Sequence, residues 1–213
     1  MARTKLVVFD LDGVIFEHDS FYEQMYDKYD RWAPKKKILE ICDRHLKDST
    51  TKAAELVIGK MWAGLSDKGY WEIIENLKLN PGVKETVAEL KKKGIKTMIL
   101  TSAVTDASDK AQKMLSIDYV MANWMETKGG KITGRFKWSV LYQKKGKVLS
   151  DFCRSMCFDL KEVACVGDNE NDLSMMEEAG LSIAFNAKSE ELKKHCDVVI
   201  EGNDLREILK YIK

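Results

Sequence analysis

The chain has 213 residues, enough to bury one hydrophobic core and to carry a smaller inserted domain. Its 35 basic and 34 acidic residues leave a formal net charge of +1, so neither a nucleic acid nor an anionic membrane is expected as a partner. No apolar run approaches the roughly 18 residues of a membrane span, and the acid at position 10 comes too early for a secretory signal. We therefore expect a cytoplasmic protein, either a monomer or a homodimer.

Short apolar runs recur along the chain, each followed by a helical stretch. Alternation of strand and helix is typical of the α/β class, here a Rossmann-like parallel sheet covered by helices on both faces. A turn at residues 128–131, between two extended segments, predicts a hairpin. The six predicted strands are Leu6–Phe9, Thr97–Leu100, Tyr119–Met121, Val163–Val166, Ser182–Phe185 and Val198–Ile200.

An insert directly after the first strand breaks this rhythm and predicts a small α-helical cap. Its apolar residues have helical spacing over residues 21–32 and again over residues 38–45. An insert at this point stands over the carboxyl edge of the sheet, where open parallel sheets bind ligands. The predicted domains are a catalytic core of residues 1–14 and 80–213 and a helical cap of residues 15–79.

Two carboxylates, Asp10 and Asp12, end the first apolar run and are followed by Gly13. Like charges at this spacing repel each other unless a divalent cation or a shared proton lies between them. Asp168 and Asp172 form a second acidic cluster after another apolar run. Taken alone, the first pair also fits the turn of a β-hairpin. Together, the two clusters predict a magnesium-dependent enzyme of phosphoryl transfer.

Two further features fit an anion site. Thr101 and Ser102 follow a predicted strand just before a helix, where a hydroxyl and free backbone N–H groups can converge on an anion. Lysines at 144, 145 and 147 crowd a helix start, where the helix dipole disfavours cations and a bound anion would offset the repulsion. A helix cap and a solvated lysine cluster are the ordinary explanations of these features taken singly. Their combination with the acids favours a phosphate site.

With these motifs, the chain resembles the haloacid-dehalogenase superfamily of phosphatases and, within it, the phosphoserine phosphatases. The resemblance covers roughly residues 4–14 and 81–213 and is poor in the insert. The residues that carry it are 10–13, Thr101, Lys145, 167–172, the hairpin at 130–134 and the tail at 204–209.

The resemblance implies a Mg²⁺-dependent phosphomonoester hydrolase that acts through an aspartyl-phosphate. Asp10 would attack phosphorus, and Asp12 would protonate the leaving alkoxide and then activate water. Thr101 and Lys145 would bind the phosphoryl oxygens. The other implied roles are Mg²⁺ binding by Asp10, Asp168 and the Asp12 carbonyl, orientation of Lys145 or a metal-bound water by Asp172, a tight turn at Gly13, and substrate contacts from Asp19, Ser102 and Asn171.

The chain departs from the phosphoserine phosphatase pattern on the substrate side. Asp19 stands where the family usually has a glutamate that holds the amino group, and the insert arginine that holds the carboxylate is not at its usual place. Arg31 and Arg44 stand elsewhere, and Lys52 or Lys60 would replace it without the bidentate guanidinium fork. The expected partner is therefore a small phosphorylated metabolite, with phosphoserine as one candidate.

Two other functions stay open from the sequence. A phosphomutase of the same superfamily would return the phosphoryl group to a sugar instead of water. A non-catalytic phospho-acceptor signalling module also combines aspartates, a hydroxyl residue, a lysine and magnesium. In such receiver modules the phosphorylated aspartate follows a middle strand of the sequence, whereas here the candidate follows the first, and this order favours the enzyme.

Overall fold

The computed structural model describes residues 3–18, 20–31, 59–141 and 144–213. Within them, the strands are β1 (Leu6–Phe9), β2 (Lys96–Val104), β3 (Tyr119–Lys128), β4 (Lys131–Lys137), β5 (Val163–Gly167), β6 (Leu181–Phe185) and β7 (Val198–Ile200). They form one sheet in the order β4-β3-β2-β1-β5-β6-β7. Neighbouring strands are parallel except β3 and β4, which form the predicted hairpin.

Helices cover both faces of this sheet, which confirms the predicted α/β fold. Successive strand residues point to opposite faces, so Val7 and Phe9 join one apolar cluster and Leu6 and Val8 join the other. The described helices are α1 (Phe21–Tyr29), α2 (Lys68–Asn76), α3 (Val83–Lys92), α4 (Thr105–Leu115), α5 (Lys145–Met156), α6 (Leu173–Glu178) and α7 (Glu190–His195). Helices α3 and α4 pack on the first face, and α5, α6 and α7 pack on the second.

Two helices of the insert, α1 and α2, pack against each other. The ring of Phe21 meets the ring of Tyr70 edge to face, with centroids 5.7 Å apart. The Tyr29 hydroxyl donates to the Ser66 carbonyl at 2.5 Å and accepts from the Tyr70 N–H at 2.9 Å. The second predicted helical pattern, residues 38–45, lies outside the described residues. The boundaries of core and cap stay predictions.

Helix α2 is also tied to α4 of the core. The Tyr70 hydroxyl donates to Asp106 at 2.5 Å. The Lys110 ammonium donates to three carbonyls at the carboxyl end of α2, those of Ile74 and Glu75 at 2.8 Å and of Leu77 at 3.1 Å. A cation at this end of a helix complements both the free carbonyls and the helix dipole. Two residues of α4, Asp106 and Lys110, therefore hold this helix of the insert on the core through four hydrogen bonds.

The second strand is longer than the sequence predicts. The predicted strand ends at Leu100, whereas β2 continues to Val104 and α4 begins at Thr105. Ala103 and Val104 are apolar and buried, and Val104 still pairs with Asn123 of β3, although the register shifts after Leu100. Thr101 and Ser102 therefore lie inside an irregular strand end and do not directly precede the helix.

Among the described residues, no helix is both long enough and apolar enough to cross a membrane.

Candidate active site

Three neighbouring strands bring the predicted site residues to one edge of the sheet. Phe9, the last residue of β1, pairs with Ile99 of β2 on one side and with Val166 of β5 on the other. Asp10 and Asp168 therefore follow adjacent parallel strands at their carboxyl ends. Strands β2, β3 and β4 lie on one side of β1, and β5, β6 and β7 lie on the other, so the strand order reverses between β1 and β5. Open α/β sheets bind ligands at such a switch point.

Asp10, Lys145 and Asp172 form a buried ion-pair network. The Lys145 ammonium lies 2.8 Å from Asp10 Oδ1 and 2.6 Å from Asp172 Oδ1, and its side chain is fully buried. Asp10 Oδ1 also accepts the Leu11 N–H at 2.7 Å, while Oδ2 accepts no hydrogen bond from the described residues. The solvated lysine cluster that the sequence allows is therefore wrong for Lys145. An ammonium has three protons, so one is left for a ligand.

Asp172 is fully satisfied within the protein. Its second oxygen, Oδ2, accepts the backbone N–H of Asp168 at 3.0 Å and of Asn169 at 3.3 Å. With Oδ1 held by Lys145, both oxygens have partners, which suits a residue that orients Lys145. Asp10, Asp168 and Asp172 each place a carboxylate oxygen within 4.8 Å of the other two. Of these three acids, Asp172 is the least available to a cation.

Asp168 is buried without a hydrogen-bond partner for its carboxylate among the described residues, at 7% exposure. Burial first, and then the charges of Asp172 and Asp10, raise the pKa of Asp168 to about 9. Gly13 leaves the space beside it, because a Cβ there would lie 2.2 Å from Asp168 Oδ2. Gly13 also has a φ of 75°, in the left-handed region that glycine tolerates. A buried carboxylate without a hydrogen-bond partner is unfavourable unless it binds a cation or a proton.

The pKa of Asp10 and the pKa of Lys145 are both raised, but by different causes. Burial, followed by the charge of Asp172, raises the pKa of Asp10 to about 7, although Lys145 acts against this shift. Burial alone would lower the pKa of Lys145, but Asp10 and Asp172 more than offset it and raise that pKa. Lys145 is therefore a permanent cation among three carboxylates. The charge of this cluster is negative when all are ionised, and these residues fit a divalent cation.

Asp12 lies at the entrance to the insert. Its Oδ2 accepts the Phe21 N–H at 2.8 Å, at the amino end of α1, and its Oδ1 lies 2.8 Å from His18 Nε2. The prediction of a hairpin turn at residues 12–13 is wrong, because β1 pairs with β2 and β5 and not with residues 14–16. The N–H groups of Ile15 and Phe16 instead both donate to the Leu11 carbonyl. The side chain of Asp12 is thus linked to the insert, where a general acid could face the leaving group.

Thr101, predicted to bind phosphoryl oxygens, and the three predicted substrate contacts differ in their surroundings. Thr101 is 2% exposed, and its Oγ1 accepts the Ala103 N–H at 3.0 Å, so its own proton is left to donate. The Ser102 hydroxyl and Asn171 Oδ1 are buried without partners among the described residues. Asp19, predicted to hold an amino group, lies outside the described residues.

Two buried asparagines support the site and carry no signal that single-sequence reasoning could use. Asn123 donates to the carbonyls of Ser102 at 2.7 Å and Val140 at 2.9 Å and accepts the N–H groups of Ser139 and Val140 at 2.8 Å. It thereby ties the end of β2 to the segment that leads to Lys145. Asn80 likewise donates to the carbonyls of the turn after Asp12, at residues 13, 14 and 16.

The family model of haloacid dehalogenase-like hydrolases matches residues 4–180 of this chain. The match spans well over half of the sequence and includes the strand ends described above. The chain therefore belongs to the haloacid dehalogenase-like hydrolase family, and the predictions of this family and of a phosphatase are confirmed.

Within this family, the chain is similar to phosphoserine phosphatases. The chain is 33% identical over 214 residues to a phosphoserine phosphatase of Methanocaldococcus jannaschii, with 99% of both chains covered. It is 29% identical over 218 residues to one of Albidiferax ferrireducens, with 99% of this chain and 90% of the relative covered. Among solved structures, it resembles a phospho-aspartyl intermediate analogue of phosphoserine phosphatase, with 30% identity, a TM-score of 0.81 and complete coverage of both chains.

Proposed function

We propose that the chain is a Mg²⁺-dependent phosphomonoester hydrolase that forms an aspartyl-phosphate on Asp10 and acts on a small phosphorylated metabolite, with phosphoserine as the first candidate. The observation that carries the proposal is a buried Asp10 whose Oδ1 is held by Lys145 and whose Oδ2 is free of hydrogen bonds from the described residues. A relative captured as a phospho-aspartyl intermediate analogue supports the same chemistry. Action in the cytoplasm and the oligomeric state stay predictions.

Asp10 is suited to be the nucleophile. Lys145 and the Leu11 N–H fix Oδ1, so Oδ2 is oriented to attack phosphorus in line. Attack forms the bond between Oδ2 and phosphorus and breaks the bond between phosphorus and the ester oxygen, so a slow hydrolysis becomes two displacements. Water then attacks the aspartyl-phosphate and releases inorganic phosphate and the free Asp10.

Asp12 is suited to be the general acid and base. Its Oδ2 is held by the Phe21 N–H, which fixes the carboxyl and leaves Oδ1 to exchange a proton. Oδ1 would give that proton to the leaving alkoxide in the first displacement and take one from water in the second. In-line attack by Asp10 would place the leaving group on the opposite side of phosphorus. The position of Asp12, between the first strand and the insert, suits protonation there.

The cation would be held by the carboxylates of Asp10 and Asp168 and by the Asp12 carbonyl. The buried, unpartnered carboxylate of Asp168 and the space that Gly13 leaves beside it support this assignment. When bound, Mg²⁺ supplies charge that offsets the repulsion between phosphate and the carboxylates. Asp172 is left out of this set because Lys145 and two backbone N–H groups already occupy its oxygens.

The phosphoryl oxygens would be bound by Lys145 and Thr101, with Ser102 and Asn171 nearby. Lys145 has one proton left after its two ion pairs, and Thr101 has its hydroxyl proton free. Donors fixed before the reaction stabilise the charge of the transferring phosphoryl group without reorganising. The unpartnered Ser102 hydroxyl would donate to the same oxygens, whereas the unpartnered Asn171 Oδ1 is an acceptor and would bind a donor group of the substrate.

The experiment is phosphate release from phosphorylated amino acids, sugars and nucleotides, with Mg²⁺ and with EDTA. Wild type, Asp10→Asn and Lys147→Met are compared, the last being an exposed lysine on α5. We expect Mg²⁺-dependent release by wild type and Lys147→Met and its complete loss in Asp10→Asn. Release by Asp10→Asn would overturn the nucleophile, and no release by wild type would overturn the phosphatase. Dependence on a bisphosphate primer would indicate a phosphomutase instead.

A further inference from the structure

Asn80 contacts the whole turn that follows the proposed general acid. Its side-chain Nδ2 donates to the carbonyls of residues 13 and 14 at 2.9 Å and to the carbonyl of residue 16 at 3.2 Å. Its backbone N–H donates to the remaining carbonyl, that of residue 15, at 2.9 Å. A single residue therefore binds the carbonyls of all four residues of this turn.

The turn depends on these contacts because it is buried. Val14, Ile15 and Phe16 are 0% exposed, so solvent does not reach their carbonyls, and Asn80 is itself buried. Buried backbone carbonyls need a donor inside the protein. Removal of the Asn80 amide would leave three acceptors without this donor, and the turn would have to rearrange to satisfy them.

The effect of Asn80 reaches Asp12 through Gly13, the next residue. The Gly13 carbonyl accepts from Asn80, and the Gly13 N–H donates to the His18 carbonyl at 2.7 Å, so both polar backbone groups of this residue are held. On the side of the insert, the Asp12 carboxyl accepts the Phe21 N–H. The position of Asp12 is therefore set by the turn that follows it and by the start of α1.

A purely structural role is the alternative, because Asn80 lies where the insert returns to the core. The backbone already joins the two crossings of the insert: the Glu17 N–H donates to the Lys78 carbonyl at 3.0 Å, and Phe16 pairs with Leu79. These contacts do not involve the Asn80 side chain. Its amide therefore acts on the turn itself and not on the connection between insert and core.

We propose that Asn80 is a positioning residue for the general acid: through the turn at residues 13–16, it holds the Asp12 carboxyl where it can protonate the leaving alkoxide. The inference rests on the proposed function, since Asp12 must be that acid. A misplacement of a catalytic group by about 1 Å lowers the rate about a hundredfold. The loss should depend on the leaving group, because a weakly basic phenolate departs without a proton, whereas a strongly basic one needs the acid.

The test is kcat/KM for 4-nitrophenyl phosphate and phenyl phosphate, with phosphoserine as a third substrate. The two aryl esters are similar in shape, but the phenolate that leaves phenyl phosphate is the more basic. Asn80→Leu removes the amide and keeps the approximate size of the side chain. We expect wild type to cleave all three substrates and the variant to lower kcat/KM for phenyl phosphate about tenfold more than for 4-nitrophenyl phosphate.

Two other asparagines serve as controls. Asn76 on α2 is exposed and donates to the Glu72 carbonyl at 2.7 Å, so Asn76→Leu should leave kcat/KM unchanged. Asn123 is buried like Asn80, but it holds the Ser102 carbonyl on the phosphoryl side of the site. Asn123→Leu should therefore lower kcat/KM for both aryl esters by the same factor. The contrast between the two buried asparagines separates a displaced acid from a general loosening of the fold.

The inference is overturned if Asn80→Leu loses the same factor on both aryl esters, which indicates a structural role, or if it keeps the wild-type values. Wild-type cleavage of phosphoserine but of neither aryl ester overturns it and leaves the phosphatase intact. Cleavage of none of the three substrates overturns the proposed function as well. If Asn80→Leu does not fold, Asn80→Ser decides by the same ratio, because it is smaller and keeps one donor.

Discussion

Asp168 and Asp172 show how one residue type takes two roles through its hydrogen bonds. Asp172 has Lys145 on one oxygen and two backbone N–H groups on the other, so both of its oxygens have partners inside the protein. Asp168, four residues earlier, is buried without such partners among the described residues, and burial raises its pKa. The first acid can orient a lysine, and the second is free to bind a cation.

Asp168→Asn should stabilise the cation-free protein by about 2 kcal/mol while weakening Mg²⁺ binding. A carboxyl whose folded pKa is about 9 favours folding less and less as pH rises above its unfolded pKa of about 4. The gain in the free energy of unfolding should therefore be larger at pH 8 than at pH 5. Urea unfolding in EDTA at both values measures it, and a lower stability of the variant at pH 8 would contradict the assignment.

Lys145→Met should reduce phosphate release at least a hundredfold and destabilise the cation-free fold by about 3 kcal/mol, because it leaves Asp10 and Asp172 buried without their shared cation. Lys147→Met, two residues along α5 and exposed, is the control and should change stability by less than about 0.5 kcal/mol. Chemical unfolding and initial rates test both. Equal behaviour of the two variants would remove Lys145 from the site.

At the scale of elements, α4 links the insert to the core. It begins directly after the strand end that carries Thr101 and Ser102, and through Asp106 and Lys110 it holds α2. A movement of the insert that includes α2 would therefore have to break these hydrogen bonds. The described contacts therefore place α2 with the core.

Lys110→Met should loosen the carboxyl end of α2. The substitution leaves three carbonyls without their ammonium donor, so amide hydrogen exchange in residues 68–76 should become faster, while exchange in α5 should not change. Lys91→Met, an exposed lysine on α3, serves as the control. Unchanged exchange in α2 would show that the Tyr70–Asp106 hydrogen bond holds this helix without Lys110.

The sequence predicts the two strands that end in acids and the charged motifs that follow them, whereas it does not predict positions that depend on tertiary contacts. The apolar runs before Asp10 and before Asp168 predict both strands and place an acid after the carboxyl end of each. The predicted end of β2 is wrong because the strand continues past a register shift between Leu100 and Val104, and Val104 still pairs with Asn123 of β3. Asn123 and Asn80 went unnoticed because a buried amide that joins distant backbone segments has no local pattern.

At the scale of the whole molecule, a net charge close to zero coexists with a strongly charged cluster of buried residues. The net charge is +1, yet Asp10, Asp168 and Asp172 lie together at the switch point of the sheet, and Lys145 forms ion pairs with the first and the last of them. Membership of the haloacid dehalogenase-like hydrolases agrees with the proposal that this arrangement holds a nucleophile and a cation. The fold supplies the place, and the residues at three strand ends supply the chemistry.

The most direct test of the central claim is the mass of the protein after acid quenching during turnover of phosphoserine with Mg²⁺, followed by peptide mapping. Acid traps an acyl phosphate by slowing its hydrolysis. We expect one added phosphoryl group on the peptide that contains Asp10, lost on treatment with hydroxylamine and absent from Asp10→Asn. Turnover without any phosphorylated peptide, or with the phosphoryl group on a different residue, would contradict the account.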